Sequence, residues 1–248
     1  MMGVISYWIL PVLSGLSWAL TLIVLFLYWL ATCRPRYASM DPTQSIPYIS
    51  DVGATSLKPF FIAGCTLTTV FHILSLISEI WLRYTGRLTR NTSLGQKVIV
   101  WLSLLFAING SAGLILLSIF DTLRHERLHN IFLALFIVGF ILSAVLVSWE
   151  YQRLGMHFRE QRILRCSFWI KLGFILISLG LVIPFATLNF KNLFDAAAIV
   201  EWIIGIVFSL YVFSFVIDLF PAIKDRRRNS DGSSAPLETG IHREMSMN

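Results

Sequence analysis

Six apolar stretches, at residues 5–31, 58–82, 98–120, 130–150, 167–188 and 197–220, alternate with shorter polar segments along this chain of 248 residues. Each approaches or exceeds the roughly 20 residues that a helix needs to cross a hydrocarbon core. Membrane strands would show apolar and polar residues alternating in pieces of about ten, and no such alternation is present. Inside a bilayer the backbone N–H and C=O groups find no water, so segments of this kind fold as helices. The pattern predicts an all-α polytopic membrane protein, a six-transmembrane-helix bundle over residues 1–221. A basic and then disordered tail follows at 222–248. The first stretch reads as a retained span, because it lacks a basic n-region and its apolar run is about twice that of a secretory signal.

Composition sharpens the class. The chain is 56% hydrophobic and 14% charged, with a mean hydropathy of +0.72, whereas a soluble domain carries about 25% charge. A separate soluble domain is excluded, and no nucleic-acid partner is expected. The three Cys do not make a disulfide framework.

Charge adds an orientation. Segments after spans two, four and six carry Arg83, Arg87, Arg90, Lys97, Arg153, Arg159, Arg162, Arg165, Lys224, Arg226, Arg227, Arg228 and Arg243. Segments after spans one, three and five carry only Arg34, Arg36, Lys58, Arg124, Arg127 and Lys191. Cytosolic loops hold the excess of Lys and Arg, so both termini are expected in the cytosol. The sequon Asn91-Thr92-Ser93 then lies on the cytosolic side and stays without sugar.

With that orientation the acids and imidazoles gather on the outer side. "FDTLRHERLHN" (120–130) places Asp121, His125 and His129 at four-residue intervals between two spans. Asp51 lies in the long first loop, and Glu201 lies just inside span six. A carboxylate within a span costs about 2.5–3.5 kcal/mol at the helix centre, so Glu201 is expected to face a partner. His125, His129, Arg124, Arg127 and Lys58 are the candidates. Asp51, Asp121, His125, His129 and Glu201 thus predict a polar cluster at the outer mouth of the bundle. It reads as a hydrogen-bonded network fixing loops to helix ends, as a lipid head-group site, or as a metal or hydrolytic site. The spacing D-x3-H-x3-H is not diagnostic of a metal. No Ser nucleophile motif, HExxH or Gly-rich phosphate loop occurs, so a non-enzymatic protein without metal or cofactor is expected.

Within the spans, His72 is expected to hydrogen-bond another helix, and Glu79 to pair with Arg83 one turn on. Asn109-Gly110-Ser111-Ala112-Gly113 makes a small-residue patch for close helix approach. Pro184 is expected to kink or end span five, and Asp218 to mark the cytosolic end of span six. Trp8, Trp81, Trp101, Trp149, Trp169 and Trp202 fall toward span ends, as interfacial belts require. The run "KDRRR", with Lys224, Arg226, Arg227 and Arg228, follows span six directly and suits phosphatidylserine or phosphoinositides. Ser230, after "RRN", is a candidate phosphosite whose charge would weaken that attraction.

Three segments carry a resemblance: "PYISDVG" (47–53), "FDTLRHERLH" (120–129) and "AIVEW…FVIDL" (198–219). Over roughly residues 5–220 the chain resembles the DRAM-type family of damage-regulated autophagy modulators. That family includes a plasma-membrane partner of a phosphatidylinositol 4-kinase and, more distantly, proteins that remodel the lipid of GPI anchors. Pro47, Tyr48, Ser50, Asp51, Gly53, Asp121, His129, Glu201 and Trp202 are the matching positions. The resemblance implies six spans with cytosolic termini. The function expected from all of this is a multi-pass protein of the plasma membrane or an endomembrane. It would organise membrane lipids, or recruit lipid-modifying machinery through a cytosolic protein partner. The resemblance also implies two alternatives, a GPI-anchor lipid-remodelling factor of the secretory pathway and a regulator of autophagy in a lysosomal or vacuolar membrane.

Overall fold

The structure is a computed structural model that describes residues 7–86, 88, 94–157 and 162–219. Asn91, Lys224, Arg226, Arg227, Arg228 and Ser230 lie outside them. The described residues form seven helices: α1 (Ile9–Ala31), α2 (Ile49–Gly53), α3 (Lys58–Tyr84), α4 (Leu94–Ile119), α5 (Thr122–His157), α6 (Arg162–Phe190) and α7 (Phe194–Leu219). All but α2 are long and apolar enough to span a membrane. The protein is therefore an all-helical, six-span membrane protein, as the apolar pattern predicted. The helices outrun the apolar runs because water at the interface permits further turns with polar side chains. Span four shows it best, its unbroken helix beginning just after a kink at His125 rather than near residue 130.

The six long helices close into a ring in the order α1, α3, α4, α5, α6, α7, with α7 returning to α1. Antiparallel neighbours follow from tight connections such as the one between α6 and α7, where Asn192 turns the chain at φ 57°. The Asn109–Gly113 patch does bring two helices together. A Cβ on Gly113 would lie 2.6 Å from the Phe136 backbone nitrogen, and one on Gly139 2.6 Å from that of Gly110. Only hydrogen atoms fit there, so α4 and α5 pack backbone against backbone. Elsewhere polar groups join helices: Trp18 Nε1 donates to the Gly205 carbonyl at 2.8 Å, and Ser14 Oγ to the Thr68 carbonyl at 2.6 Å.

The ring is filled by aromatics. Phe208 meets Trp18, Phe136 and Phe140 edge to face, with ring centroids 4.9–5.8 Å apart, the geometry that aromatic quadrupoles favour. His72 does not make the expected interhelical hydrogen bond through Nδ1, which has no partner. Its ring is enclosed by Phe140, Tyr211 and Phe215, which supply aromatic faces and edges instead of acceptors. Pro184 does not end span five. Helix α6 continues to Phe190, and Thr187 Oγ1 donates to the Pro184 carbonyl at 2.9 Å.

A buried ionic layer lies at the end of the bundle where α1 begins and α7 finishes. Arg83 Nη2 donates to Glu79 Oε1 at 2.7 Å, as the i,i+4 spacing predicted, and the Tyr151 hydroxyl donates to the same oxygen at 2.6 Å. Glu150 lies 3.5 Å from Arg83 Nε. Asp218 does more than mark a helix end. It accepts from Lys171 and from Ser167 across the α6–α7 interface, with both partners of the ion pair fully buried. The Lys171 ammonium also lies 4.3 Å from the Phe215 ring centroid, a cation–π contact. Trp81, Trp101, Trp149 and Trp169 all remain exposed on the outside of this end, where an interfacial belt belongs.

Candidate functional site

At the opposite end the chain between α1 and α3 folds back over the ring, and α2 plugs it. All five α2 residues are buried. A five-residue helix has mostly orphan donors at its N-terminus, and the chain satisfies them with carboxylates. Asp51 Oδ2 accepts from the Tyr48 N–H at 2.9 Å, the carboxylate half of a capping box. Glu201 Oε2 reaches from α7 to accept from the Ile49 N–H at 2.9 Å. Gly53 leaves room for Phe61, whose ring would meet a Cβ at 2.5 Å.

The neighbouring residues fasten the same segment. Trp202 Nε1 donates to the Pro47 carbonyl at 3.0 Å, and the Tyr48 hydroxyl to Asn189 Oδ1 at 2.8 Å. Asp195 Oδ1 accepts from the Ser45 and Ile46 N–H groups at 2.6 and 2.8 Å. Pro47, Tyr48, Asp51, Gly53, Glu201 and Trp202 therefore form one assembly that seats α2 between α1, α5 and α7.

The α4–α5 corner forms the other wall. Asp121 precedes α5, accepts from the Arg124 N–H at 2.8 Å and pairs with Lys58 Nζ at 2.5 Å. Burial alone would raise its pKa, but the Lys58 and Arg124 contacts outweigh it and hold the carboxyl below 3.8. His129 Nδ1 lies 2.9 Å from the Leu117 carbonyl and 3.0 Å from that of Phe120. Carbonyls only accept, so Nδ1 carries the proton and caps the otherwise unpaired end of α4. Asp51 is pushed above 3.8 by burial, against the hydrogen bonds from Ser39, Tyr48 and Thr122 and the charge of His129. Burial likewise raises the Tyr48 phenol, with Glu201 and Asp51 adding to the effect.

Between these walls lies a cavity of about 400 Å³, lined among others by Tyr48, Ser50, Asp51, Glu126, His129, Asn189 and Glu201. Ser50, His129, Leu133, Phe185 and Glu201 also line a narrow apolar pocket of about 50 Å³ beneath it. That pocket shares Phe136, Ile137, Ile204 and Phe208 with a third, of about 60 Å³, between α5, α6 and α7. A polar chamber thus opens onto an apolar crevice descending through the spans.

Of the five residues expected in an outer cluster, Asp51, His129 and Glu201 line one cavity, while Asp121 braces its wall through Lys58. His125 does not join them. The backbone leaves helical geometry there, at φ −140° and ψ 48°, and the exposed ring packs on Phe120, 5.5 Å away. A strict four-residue spacing needs unbroken helix, and the break turns this ring outward. Glu201 finds its partner in a backbone N–H rather than in any of the five expected side chains, because α2 supplies orphan donors closer to it. Among the described residues no three His, Cys, Asp or Glu side chains converge as metal ligands. Sequence reasoning missed α2 itself and the chamber-lining Asn189 and Glu126. It also missed the Lys171–Asp218 pair, whose signal was two opposite charges inside adjacent apolar spans.

Residues 6–222 match the sequence family described as the Frag1/DRAM/Sfk1/Cwh43P N-terminal domain. The chain is similar to the protein sfk1 of Schizosaccharomyces pombe, at 32% identity over 235 residues that cover 94% of this chain and 68% of that one. It is also similar to the protein SFK1 of Saccharomyces cerevisiae, at 25% identity over 178 residues that cover 60% of this chain and 50% of that one. No solved structure matches it.

Proposed function

The chain belongs to the Frag1/DRAM/Sfk1/Cwh43P family, and we propose that it is a non-enzymatic membrane protein that organises bilayer phospholipids. In this reading a head group enters the loop-end chamber and a stretch of hydrocarbon lies in the crevice beneath. The observation that carries it is the junction at Ser50, His129, Leu133, Phe185 and Glu201, where a polar cavity and an apolar pocket share walls. An amphiphile is the ligand class that uses both.

Charge narrows the head group. Asp41, Asp51, Glu126 and Glu201 line the chamber, and no Lys or Arg does so among the described residues. Carboxylates are acceptors only. They favour an ammonium with N–H donors, as in phosphatidylethanolamine, over the choline head, which has none. The basic segment at Lys224, Arg226, Arg227 and Arg228 is proposed as a separate contact with an anionic leaflet, through which a partner enzyme could be recruited.

The test uses the full chain in nanodiscs of equal phosphatidylethanolamine and phosphatidylcholine, with bound lipid read by native mass spectrometry. Enrichment of phosphatidylethanolamine is expected. Glu201→Gln, whose amide oxygen still accepts from Ile49, should reduce it severalfold, and Leu133→Trp, which fills the crevice, should reduce total bound lipid. Bound lipid that mirrors the bilayer in the parent protein, or is untouched by both variants, overturns the proposal.

A further inference from the structure

A second lipid-facing feature lies at the other end of the bundle, remote from the chamber. Between α3 and α4 runs a groove of about 680 Å³ lined by Ile80, Trp81, Arg83, Lys97, Val100 and Trp101, among others. Its two ends differ in chemistry. The Ile80 and Val100 walls are apolar, whereas Arg83 and Lys97 bring guanidinium and ammonium groups to the end where the spans finish. Trp81 and Trp101 are 57% and 63% exposed, which places the head-group level of a bilayer beside those cations.

Arg83 is the decisive group. It is 5% exposed, and one edge of its guanidinium is fixed by Glu79, through Nη2 at 2.7 Å and Nε at 3.3 Å. Its Nη1 is buried and makes no hydrogen bond. A buried cationic donor left unpaired is costly, and the remedy is an anionic acceptor arriving in the groove that Arg83 lines. Glu79 and Glu150 more than offset the Arg83 charge, so Arg83 supplies a directed hydrogen bond rather than net charge. Exposed Lys97 supplies the net attraction.

From this we infer that the α3–α4 groove is a binding site for an anionic glycerophospholipid. Its phosphodiester meets Arg83 Nη1 and Lys97, and its acyl chains descend along Ile80 and Val100. This site is independent of the chamber in position, ligand charge and residues. It is also independent of the basic tail.

The experiment places the full chain in nanodiscs of equal phosphatidylglycerol and phosphatidylcholine and measures bound lipid by native mass spectrometry. Phosphatidylglycerol is enriched in the parent protein. Lys97→Ala, at an exposed position, lowers the enrichment about fivefold, the effect of one basic residue near a charged surface. Arg83→Lys keeps the charge facing Glu79, lacks the Nη1 edge, and also lowers it. Replacing Lys224, Arg226, Arg227 and Arg228 together by Gln leaves the enrichment in place. Three results overturn the inference: no enrichment in the parent protein, enrichment indifferent to Lys97→Ala, or enrichment abolished by the tail substitutions alone. The phosphatidylethanolamine preference of the chamber is read in a different lipid mixture, so either site can fail without the other.

Discussion

Single side chains decide most at an ion pair near each end of the bundle, and they do so differently. Lys171 and Asp218 are both fully buried, so removing one leaves the other charged and unpaired. Lys171→Met should lower stability by about 3–5 kcal/mol, seen as a drop in melting temperature in detergent. The double variant Lys171→Met with Asp218→Leu should recover much of the loss, since two apolar groups replace the pair. A double variant no better than the single one would show that the pair does not act as a unit. Asp121, itself buried, pairs with the partly exposed Lys58 at the other end. Its folded pKa is held below 3.8, so its contribution is complete above that value and is lost as pH falls through the lowered folded value. Asp121→Asn should therefore flatten the acid limb of a stability profile below pH 3.8, while the parent protein declines there.

At the scale of elements, the parts legible in the sequence were those set by long-range periodicity. Apolar runs of hydrocarbon length gave all six spans, and small residues marked the α4 face for a close helix approach without naming α5 as the partner; only Gly lets backbones approach to that distance. Gly139→Val should accordingly destabilise the bundle and lower its melting temperature by several degrees. Gly180→Val is the control, since nothing lies within 4 Å of its Cβ position. The segment from Cys33 to Tyr48 and helix α2 were not legible. Five helical residues leave no periodic signal, and their position is fixed by tertiary bonds from Asp195, Glu201 and Trp202 more than a hundred residues away. His129 was legible as a polar residue between spans, but its role as the cap of α4 depends on the chain turning at residues 120–125. Asp195 tests how this segment is held. Asp195→Ala removes both hydrogen bonds to residues 45 and 46, and limited proteolysis should then cut within residues 34–46 several times faster, with the spans intact.

The whole molecule is polarised. Acids and amides surround the chamber at the loop end, while Arg83, Lys97 and Arg153 gather at the end where α1 begins. Six antiparallel spans put the start of α1 and the end of α7 on that second side, because an even number of crossings returns the chain to where it started. Which compartment that side faces is an expectation from the distribution of Lys and Arg, whose excess on this side predicts the cytosol. Under that orientation Asn91, between α3 and α4, never meets the glycosylating enzymes of the secretory lumen. A sequon introduced in the first loop, by Gln44→Asn with Ile46→Thr, should be modified instead. Expression in a eukaryotic host, followed by a mobility shift on glycosidase treatment, reads both sites in one gel. Sugar on residue 44 and none on Asn91 is the expected result. The reverse would turn the molecule over, bring the Arg83–Lys97 groove to the outer leaflet, and deprive it of the anionic lipid concentrated on the cytosolic side. The acidic chamber does not depend on that choice in the same way, because its preference for an ammonium rests on lining carboxylates rather than on leaflet charge.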